Sequence, residues 1–268
     1  MKPVIKWAGG KRRLLARYSE FFPHRFGTYH EPFLGGGAVF FHLSPPAAVL
    51  SDSNEELINM YRVVKTEVES LIEDLSRHLN DRDYYYRVRD MDTNSLTGVQ
   101  RASRLIYLNK TCYNGLYRVN RKGRFNVPFG RYNNPRIVDE ETLLAASRAL
   151  QGADLLKADF GVVLENARPG DFVYFDPPYH PLSRTAYFTD YTDSPFGPKE
   201  QERLSGIFDR LCGRGCLVML SNSDTPFIRE LYGRYSSGII PLTASRSINS
   251  KADRRGPVGE LLICSWIK

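Results

Sequence analysis

Apolar residues along this chain recur with two periods, and the periods alternate at its two ends. "TYHEPF" (28–33) is a short apolar run that predicts a strand ending at glycines 35–37. "AVFFHL" (38–43) predicts a helix, stopped by Ser44-Pro45-Pro46. "AAVLS" (47–51) predicts a second strand ending at Asp52. From Asn54, Leu57, Ile58, Tyr61, Val64, Val68, Leu71, Ile72 and Leu75 fall at helical spacing and predict one continuous helix. Residues 81–96 are polar and Tyr-rich. A helix near 99–109 follows, then "LYRVN" and "RFNV" around Lys122-Gly123, the pattern of a hairpin. After Asp139 the alternation resumes: a helix at 140–150, strand "DLLKA" (154–158), a short helix before Pro169-Gly170, and strand "DFVYF" (171–175). A helix at 198–211, strand "CLVML" (216–220), a helix from Pro226 and strands near 235–242 and 260–267 complete the pattern.

Repeated β-α alternation predicts an α/β fold with a mostly parallel sheet and helices on both faces. Such sheets bind ligands at the carboxyl ends of their strands. Gly35–Gly37, Asp52, Asp159 and "DPPY" (176–179) all fall at predicted strand ends. Residues 57–138 break the alternation and read as an insertion, leaving 1–56 and 139–268 as the domain into which it is placed.

Charge sharpens the picture of the insertion. The net charge is +7, yet Thr93–Val138 contains no Asp or Glu and holds nine Lys/Arg, so the rest carries 28 basic against 30 acidic residues. Tyr107, Tyr113, Tyr117, Phe125, Phe129 and Tyr132 are interleaved with those cations. A solvated basic face is the bland reading. Cations mixed with stacking rings over so long an acid-free stretch favour a nucleic-acid surface. The four cysteines match neither a zinc site nor a disulfide framework, and suit reduced thiols in a cytoplasmic protein. No run approaches the ~20 apolar residues of a membrane span. The N-terminus has no signal-peptide pattern.

The strand-end clusters suggest chemistry. "PFLGGG" is a poor dinucleotide fingerprint, since Phe40 stands where a small residue is needed, which disfavours a nicotinamide enzyme. "AGGK" is not a phosphate loop, with Ile5 and Arg12 at the diagnostic positions. Asp52 either accepts hydrogen bonds from the ribose hydroxyls of an adenosine group or caps the next helix. Asp176 can accept a hydrogen bond from an exocyclic amine. Pro177 has no backbone N–H, so its neighbourhood is rich in acceptors, and Tyr179 offers a face for a purine. That arrangement suits direct group transfer to an aromatic amine, with proximity and orientation supplying most of the rate. An isolated tetrapeptide of this kind is more often a proline turn beside a buried tyrosine.

Eight segments in order resemble the Dam family of DNA adenine-N6 methyltransferases: "KWAGGK" (6–11), "EPFLGGGAVF" (31–40), "LSDSNEELINMY" (50–61), "YNGLYR" (113–118), "FNVPFGRY" (125–132), "DPPYHPLS" (176–183), "LSNSDT" (220–225) and "SRSINS" (245–250). The resemblance implies a Rossmann-like methyltransferase sheet, with an inserted, mostly helical target-recognition domain carrying the hairpin. S-adenosylmethionine is the implied cofactor, surrounded by Trp7, Lys11, Phe33, Gly35, Gly36, Gly37, Asp52, Asp159 and Phe160. Asp176, Pro177, Pro178 and Tyr179 are the implied catalytic turn, holding an adenine flipped out of double-stranded DNA. Tyr113 and Asn114 would enter the base stack. Leu116, Arg118, Pro128 and Tyr132 would read bases, Arg118 suiting guanine O6 and N7. Lys6 would meet the outer guanine or its phosphate, and Asn126 and Arg131 would hold phosphates. These matches imply GATC as the target, no metal, no membrane and a monomer in solution. Tyr117, Val119 and Ser245 depart from the family pattern, which bears on backbone contacts and flanking preference. Cytosine N4 or RNA adenine presents the same amine chemistry, and a catalytically silent DNA-binding module is a further alternative.

Overall fold

A computed structural model describes residues 1–11, 14–120, 122–181, 196–245 and 257–267. Arg121, residues 182–183 of "DPPYHPLS" and all of "SRSINS" beyond Ser245 lie outside them. The chain divides into two compact units, Met1–Leu15 with Leu34–Ala158, and Ala16–Phe33 with Asp159–Lys268.

In the first unit β2 (Ala48–Asp52) and β3 (Ala153–Lys157) run parallel, in register from Ala48 opposite Ala153 to Asp52 opposite Lys157. Helix α2 (Ala38–Leu43) occupies the predicted residues, and Ser44, at φ 44°, ends it before the prolines. Helix α3 (Glu55–Thr66) starts at Asn54, whose side chain accepts from the Leu57 N–H at 3.2 Å. It lies on the strand pair: Arg62 donates to the Leu155 carbonyl at 2.9 Å and Lys65 to that of Ala153 at 2.8 Å. Position 57 is therefore inside a helix that covers β2 and β3.

The continuous helix expected from Asn54 to Leu75 is two helices. Glu67, at φ −138°, interrupts it, and α4 (Val68–Ser76) begins beyond. Beyond the break, Val68, Leu71 and Leu75 are buried, as the apolar row of α3 is. A one-residue interruption leaves the spacing of apolar positions intact, so periodicity does not report it. The polar stretch 81–96 also contains a helix, α5 (Arg82–Asp90), with Asp81 accepting from the Tyr84 N–H at 2.7 Å. Only Tyr85 and Val88 of α5 are buried, too few to show a stripe. Helix α6 (Gly98–Thr111) opens with a Thr97–Gln100 capping box and buries Ala102 to Asn109 without a break. The hairpin turn is present. Among the described residues its arms pair at the bridge Val119–Phe125, with the Asn120 N–H donating to the Arg124 carbonyl at 2.9 Å and the Asn126 N–H to the Arg118 carbonyl at 3.0 Å, a ladder too short to make strands. Helix α7 (Glu140–Leu150) matches its expected bounds.

In the second unit β1 (Tyr29–Glu31), β4 (Phe172–Phe175) and β5 (Leu217–Ser223) are parallel neighbours. β7 (Pro257–Cys264) runs antiparallel to β5, and β6 (Ile239–Ser245) antiparallel to β7. All four residues of β4 are buried, which explains its unbroken apolar run. Helices α8 (Val163–Asn166), α9 (Pro198–Gly213) and α10 (Pro226–Leu231) supply Val163, Leu204, Phe208, Leu211 and Ile228 to a core with Val173, Phe175, Val218 and Leu220. β5 runs three residues past its expected end. Ser221, Asn222 and Ser223 can continue as buried strand because each finds hydrogen-bond partners. The α/β class read from the alternation holds: seven strands are present among the described residues, mostly parallel and accompanied by helices.

Candidate active site and nucleic-acid interface

DPPY begins where β4 ends, in the second unit. Asp176 is half-buried, Pro177 buried, Pro178 exposed and Tyr179 half-buried. The neighbouring strands and α9 hold the turn through polar side chains. Ser221 donates to Asp176 Oδ1 at 3.0 Å. The Tyr174 hydroxyl lies 3.0 Å from Ser221 Oγ. Ser221 has one proton and gives it to Asp176, so Tyr174 is the donor in that pair. Gln201 donates to the Pro178 carbonyl at 2.9 Å. Asn222 accepts from the His180 N–H at 3.0 Å and donates to Gln201 at 3.0 Å. The Tyr179 hydroxyl donates to Glu260 Oε1. Burial, then the negative charge of Asp176, holds that hydroxyl well above the ordinary tyrosine range, so it keeps its proton.

Ser221, Asn222, Gln201 and Glu260 carry no role in the sequence reading. "LSNSDT" was the one available signal, a polar run at the end of an apolar strand.

Two sets of proposed cofactor residues are placed, one in each unit. In the first, Asp52 stands at the carboxyl end of β2. Its carboxylate accepts from the Gly35 N–H at 3.0 Å and the Asn54 N–H at 2.9 Å. Asn54, not Asp52, supplies the side-chain cap of α3, which removes the capping alternative. Burial raises the Asp52 pKa, against the lowering effect of its backbone donors. Gly35 (φ 49°) and Gly37 (φ 65°) adopt left-handed backbone. A Cβ on Gly35 would come within 2.8 Å of the Trp7 ring, and one on Gly36 within 3.2 Å of Trp7 Cβ. Part of the glycine requirement is thus room for Trp7. The Tyr61 hydroxyl donates to the Gly35 carbonyl at 3.0 Å and fixes the loop from its far side. Lys11 is buried and its Nζ donates to the Gly9 carbonyl at 2.9 Å.

In the second unit Phe33 stacks on Phe160, with centroids 5.2 Å apart, and Phe196 packs edge-on to Phe33 at 5.5 Å. Arg203 sits 4.2 Å over the Phe160 ring and pairs with Asp159. The Arg203 hydrogen bond holds the exposed Asp159 carboxyl below its usual range. In the first unit the fixed Asp52 carboxylate is an acceptor suited to ribose hydroxyls, and in the second the aromatic faces of Phe33 and Phe160 suit a planar ring.

The proposed DNA contacts all lie in the first unit. Lys6 and Arg118 are exposed, and Tyr113 is 54% exposed at the tip of its turn. Asn114 (φ 58°) and Gly115 (φ 64°) make that turn left-handed. Asn109, buried on α6, ties it to the N-terminal segment. Its Oδ1 accepts from the Lys6 N–H at 2.9 Å, and its Nδ2 donates to the carbonyls of Lys6 at 2.9 Å and Gly115 at 3.1 Å. A Cβ on Gly115 would lie 2.6 Å from Lys6 Cδ. Trp7 stacks on Tyr117 at 4.8 Å, so the departure at 117 has a packing role. Arg118 Nε donates to Asn126 Oδ1 at 2.7 Å, so Asn126 braces the guanidinium. Leu116 is half-buried. Pro128 is exposed, and its carbonyl accepts from the Tyr113 N–H at 2.8 Å. Arg131 is exposed at φ 53°, and Asn80 donates to the Tyr132 carbonyl at 2.8 Å. Among the described residues there is no group of three or more His, Cys, Asp or Glu that could hold a metal, and no helix is long and apolar enough to cross a membrane.

A family model described as D12 class N6 adenine-specific DNA methyltransferase matches residues 7–248. The chain is 42% identical to the type II methyltransferase M1.LlaDCHI of Lactococcus lactis subsp. cremoris, over 99% of this chain and 96% of that protein. It is 43% identical to the type II methyltransferase M.MjaIII of Methanocaldococcus jannaschii, over 99% of each. It is 35% identical to a DNA adenine methylase of Haemophilus influenzae, over 97% of this chain and 92% of that protein.

Proposed function

Because this chain belongs to the D12 class of N6 adenine-specific DNA methyltransferases, we propose that it methylates the adenine of GATC in double-stranded DNA, on a base rotated out of the helix into the DPPY turn. The chain is a DNA adenine-N6 methyltransferase, and S-adenosylmethionine is its methyl donor.

The observation that carries the proposed site is the fixing of Asp176 at the end of β4, with Oδ1 held by Ser221. A carboxylate so held accepts a hydrogen bond from the adenine N6–H and orients the nitrogen lone pair. Pro177 brings no backbone N–H to compete for that lone pair. Pro178, its carbonyl held by Gln201, shapes the turn, and the Tyr179 ring stacks on the base. S-adenosylmethionine supplies the electrophilic methyl carbon when bound. Trp7, Lys11, Gly35, Gly36, Gly37 and Asp52 of the first unit, and Phe33, Asp159 and Phe160 of the second, are the residues assigned to bind it. Asp52 is suited to ribose hydroxyls, and the phenylalanines to the adenine face.

Recognition is assigned to residues 57–138, together with Lys6. Arg118, braced by Asn126, presents its guanidinium to a guanine, while Leu116 and Pro128 suit the thymine methyl. Tyr113 and Asn114 fill the stack left by the flipped base. Arg131 holds phosphate, and Tyr132 reads a base edge.

Tritiated methyl transfer to a GATC duplex tests this reading. Label should appear in N6-methyladenine after nucleoside digestion, and a duplex with the site scrambled should take up little. Asp176→Ala should lower transfer by roughly 10²–10³-fold while DNA binding stays near wild type. Label in N4-methylcytosine, or full transfer by Asp176→Ala, would contradict it.

A further inference from the structure

Glu260 is a carboxylate where the fold has no evident need of one. It stands on β7, opposite Ser223 of β5 and Leu242 of β6, and is only 5% exposed. The next residues, Leu261, Leu262 and Ile263, are fully buried and apolar. Desolvating a carboxylate is expensive, and an apolar side chain of similar size is often at least as stabilising there. The partners of Glu260 among the described residues are two phenols. The hydroxyls of Tyr18 and Tyr179 both donate to its Oε1. Tyr18 is fully buried, at the end of α1 (Leu15–Tyr18). Burial first, and the Glu260 charge next, hold the Tyr18 hydroxyl well above its ordinary range, so it remains a donor. Tyr179 is likewise protonated. Hydrogen bonds from neutral donors to an ionised acceptor are about twice as strong as neutral ones.

We infer that Glu260 is a positioning residue for methyl transfer, acting through Tyr179. Its carboxylate anchors the Tyr179 hydroxyl, and Tyr18 donates to the same carboxylate oxygen, which holds that oxygen in place. A tyrosine ring held only at Cβ rotates about two side-chain bonds. Pinned at its hydroxyl as well, it keeps one plane. Asp176, three residues earlier, is fixed from β5 by Ser221. The acceptor for the amine and the face for the ring are thus set from different strands. This inference rests on the reading that DPPY holds the target base. It adds a residue 81 positions away in sequence, which acts through the Tyr179 hydroxyl.

The test is a mutant cycle read as kcat, KM for the duplex and equilibrium binding of S-adenosylmethionine. Tyr179→Phe keeps the ring and removes the anchor. Glu260→Ala removes the acceptor, and Glu260→Gln keeps one acceptor oxygen. Each of Tyr179→Phe and Glu260→Ala should lower kcat about tenfold, with cofactor affinity and KM changed by no more than about twofold. The combined variant should lose no more than the worse single one, and Glu260→Gln should recover part of the loss. Losses that multiply in the combined variant, or wild-type kcat in Tyr179→Phe, would overturn the inference. If Glu260→Ala does not fold, Glu260→Gln closes the cycle with Tyr179→Phe and the same criterion applies. Asp176→Ala, run beside them, separates the two readings. Full transfer by that variant would sink the base-site reading itself. Loss of transfer there, with multiplying losses in the cycle, would sink only the role of Glu260.

Discussion

Asp176 and Tyr179 drew attention in the sequence because a strand's end is where α/β sheets carry chemistry, and their assigned role came from the resemblance of eight segments in order, not from the tetrapeptide alone. The groups that hold them were not visible. Gln201 lies in an amphipathic helix, Glu260 beside an apolar run and Ser221 at the start of a polar one, and nothing in a one-dimensional pattern says which polar residue faces inward. Their role follows only once β5, β7 and α9 are placed around the turn. Ser221 gives the sharpest prediction at this scale. Ser221→Ala leaves Asp176 Oδ1 without that donor and Tyr174 without its acceptor, in a largely buried place. A hydrogen bond to a charged group contributes about 1.5–3 kcal/mol. Steady-state kinetics should therefore show kcat lower by roughly tenfold or more, with KM for DNA little changed. A raised KM at unchanged kcat would place Ser221 in binding instead.

Among the elements, α2, α7 and β4 were legible to within a residue, because caps, prolines and unbroken burial mark them locally. Three features were not. The break at Glu67 leaves the apolar spacing intact, α5 buries only two side chains, and β5 continues through three polar residues. In each case tertiary partners decided what local pattern could not. The recognition turn shows how elements are joined. Asn109 lies on α6, yet its amide spans Lys6 and Gly115, which are 109 positions apart in sequence. Asn109→Asp keeps the shape and the acceptor for Lys6 N–H. It loses both donors and turns a carboxylate toward two carbonyls. Urea unfolding should show a loss of about 2–4 kcal/mol, and the variant should discriminate less between GATC and sites altered at the outer pair. Unchanged stability together with unchanged discrimination would mean that Asn109 does not tie the two segments.

Across the whole chain, charge was the most legible property and pH response the least. The acid-free stretch from Thr93 to Val138 carries the basic excess, and that is plain from composition. The buried pair His30–Asp171, with Nε2 and Oδ2 3.0 Å apart, is not. Burial lowers the His30 pKa from 6.5, against the opposing pull of Asp171. The folded state therefore binds fewer protons than the unfolded one once the pH falls below 6.5. The stability this neutral histidine allows is full above that value and is lost as the pH drops through its lowered folded pKa. Burial alone would raise the Asp171 carboxyl, but the N–H groups of Arg168 and Thr28 and the His30 ring hold it below 3.8, so its contribution is lost at lower pH still. His78 and His180 are shifted in the same direction as His30. Stability measured by urea should thus decline as the pH falls below 6.5, and His30→Asn should make that decline shallower without abolishing it. An identical slope in the variant would contradict the assignment. The most direct measurement is of the product. DNA from cells that lack other adenine methylases and express this chain should be mapped by single-molecule sequencing. The residues assigned to the site predict N6-methyladenine in GATC on both strands, and at most a small remainder of it when Asp176→Ala replaces the wild type. Dominance of any other sequence, of N4-methylcytosine, or wild-type modification in the variant would contradict them.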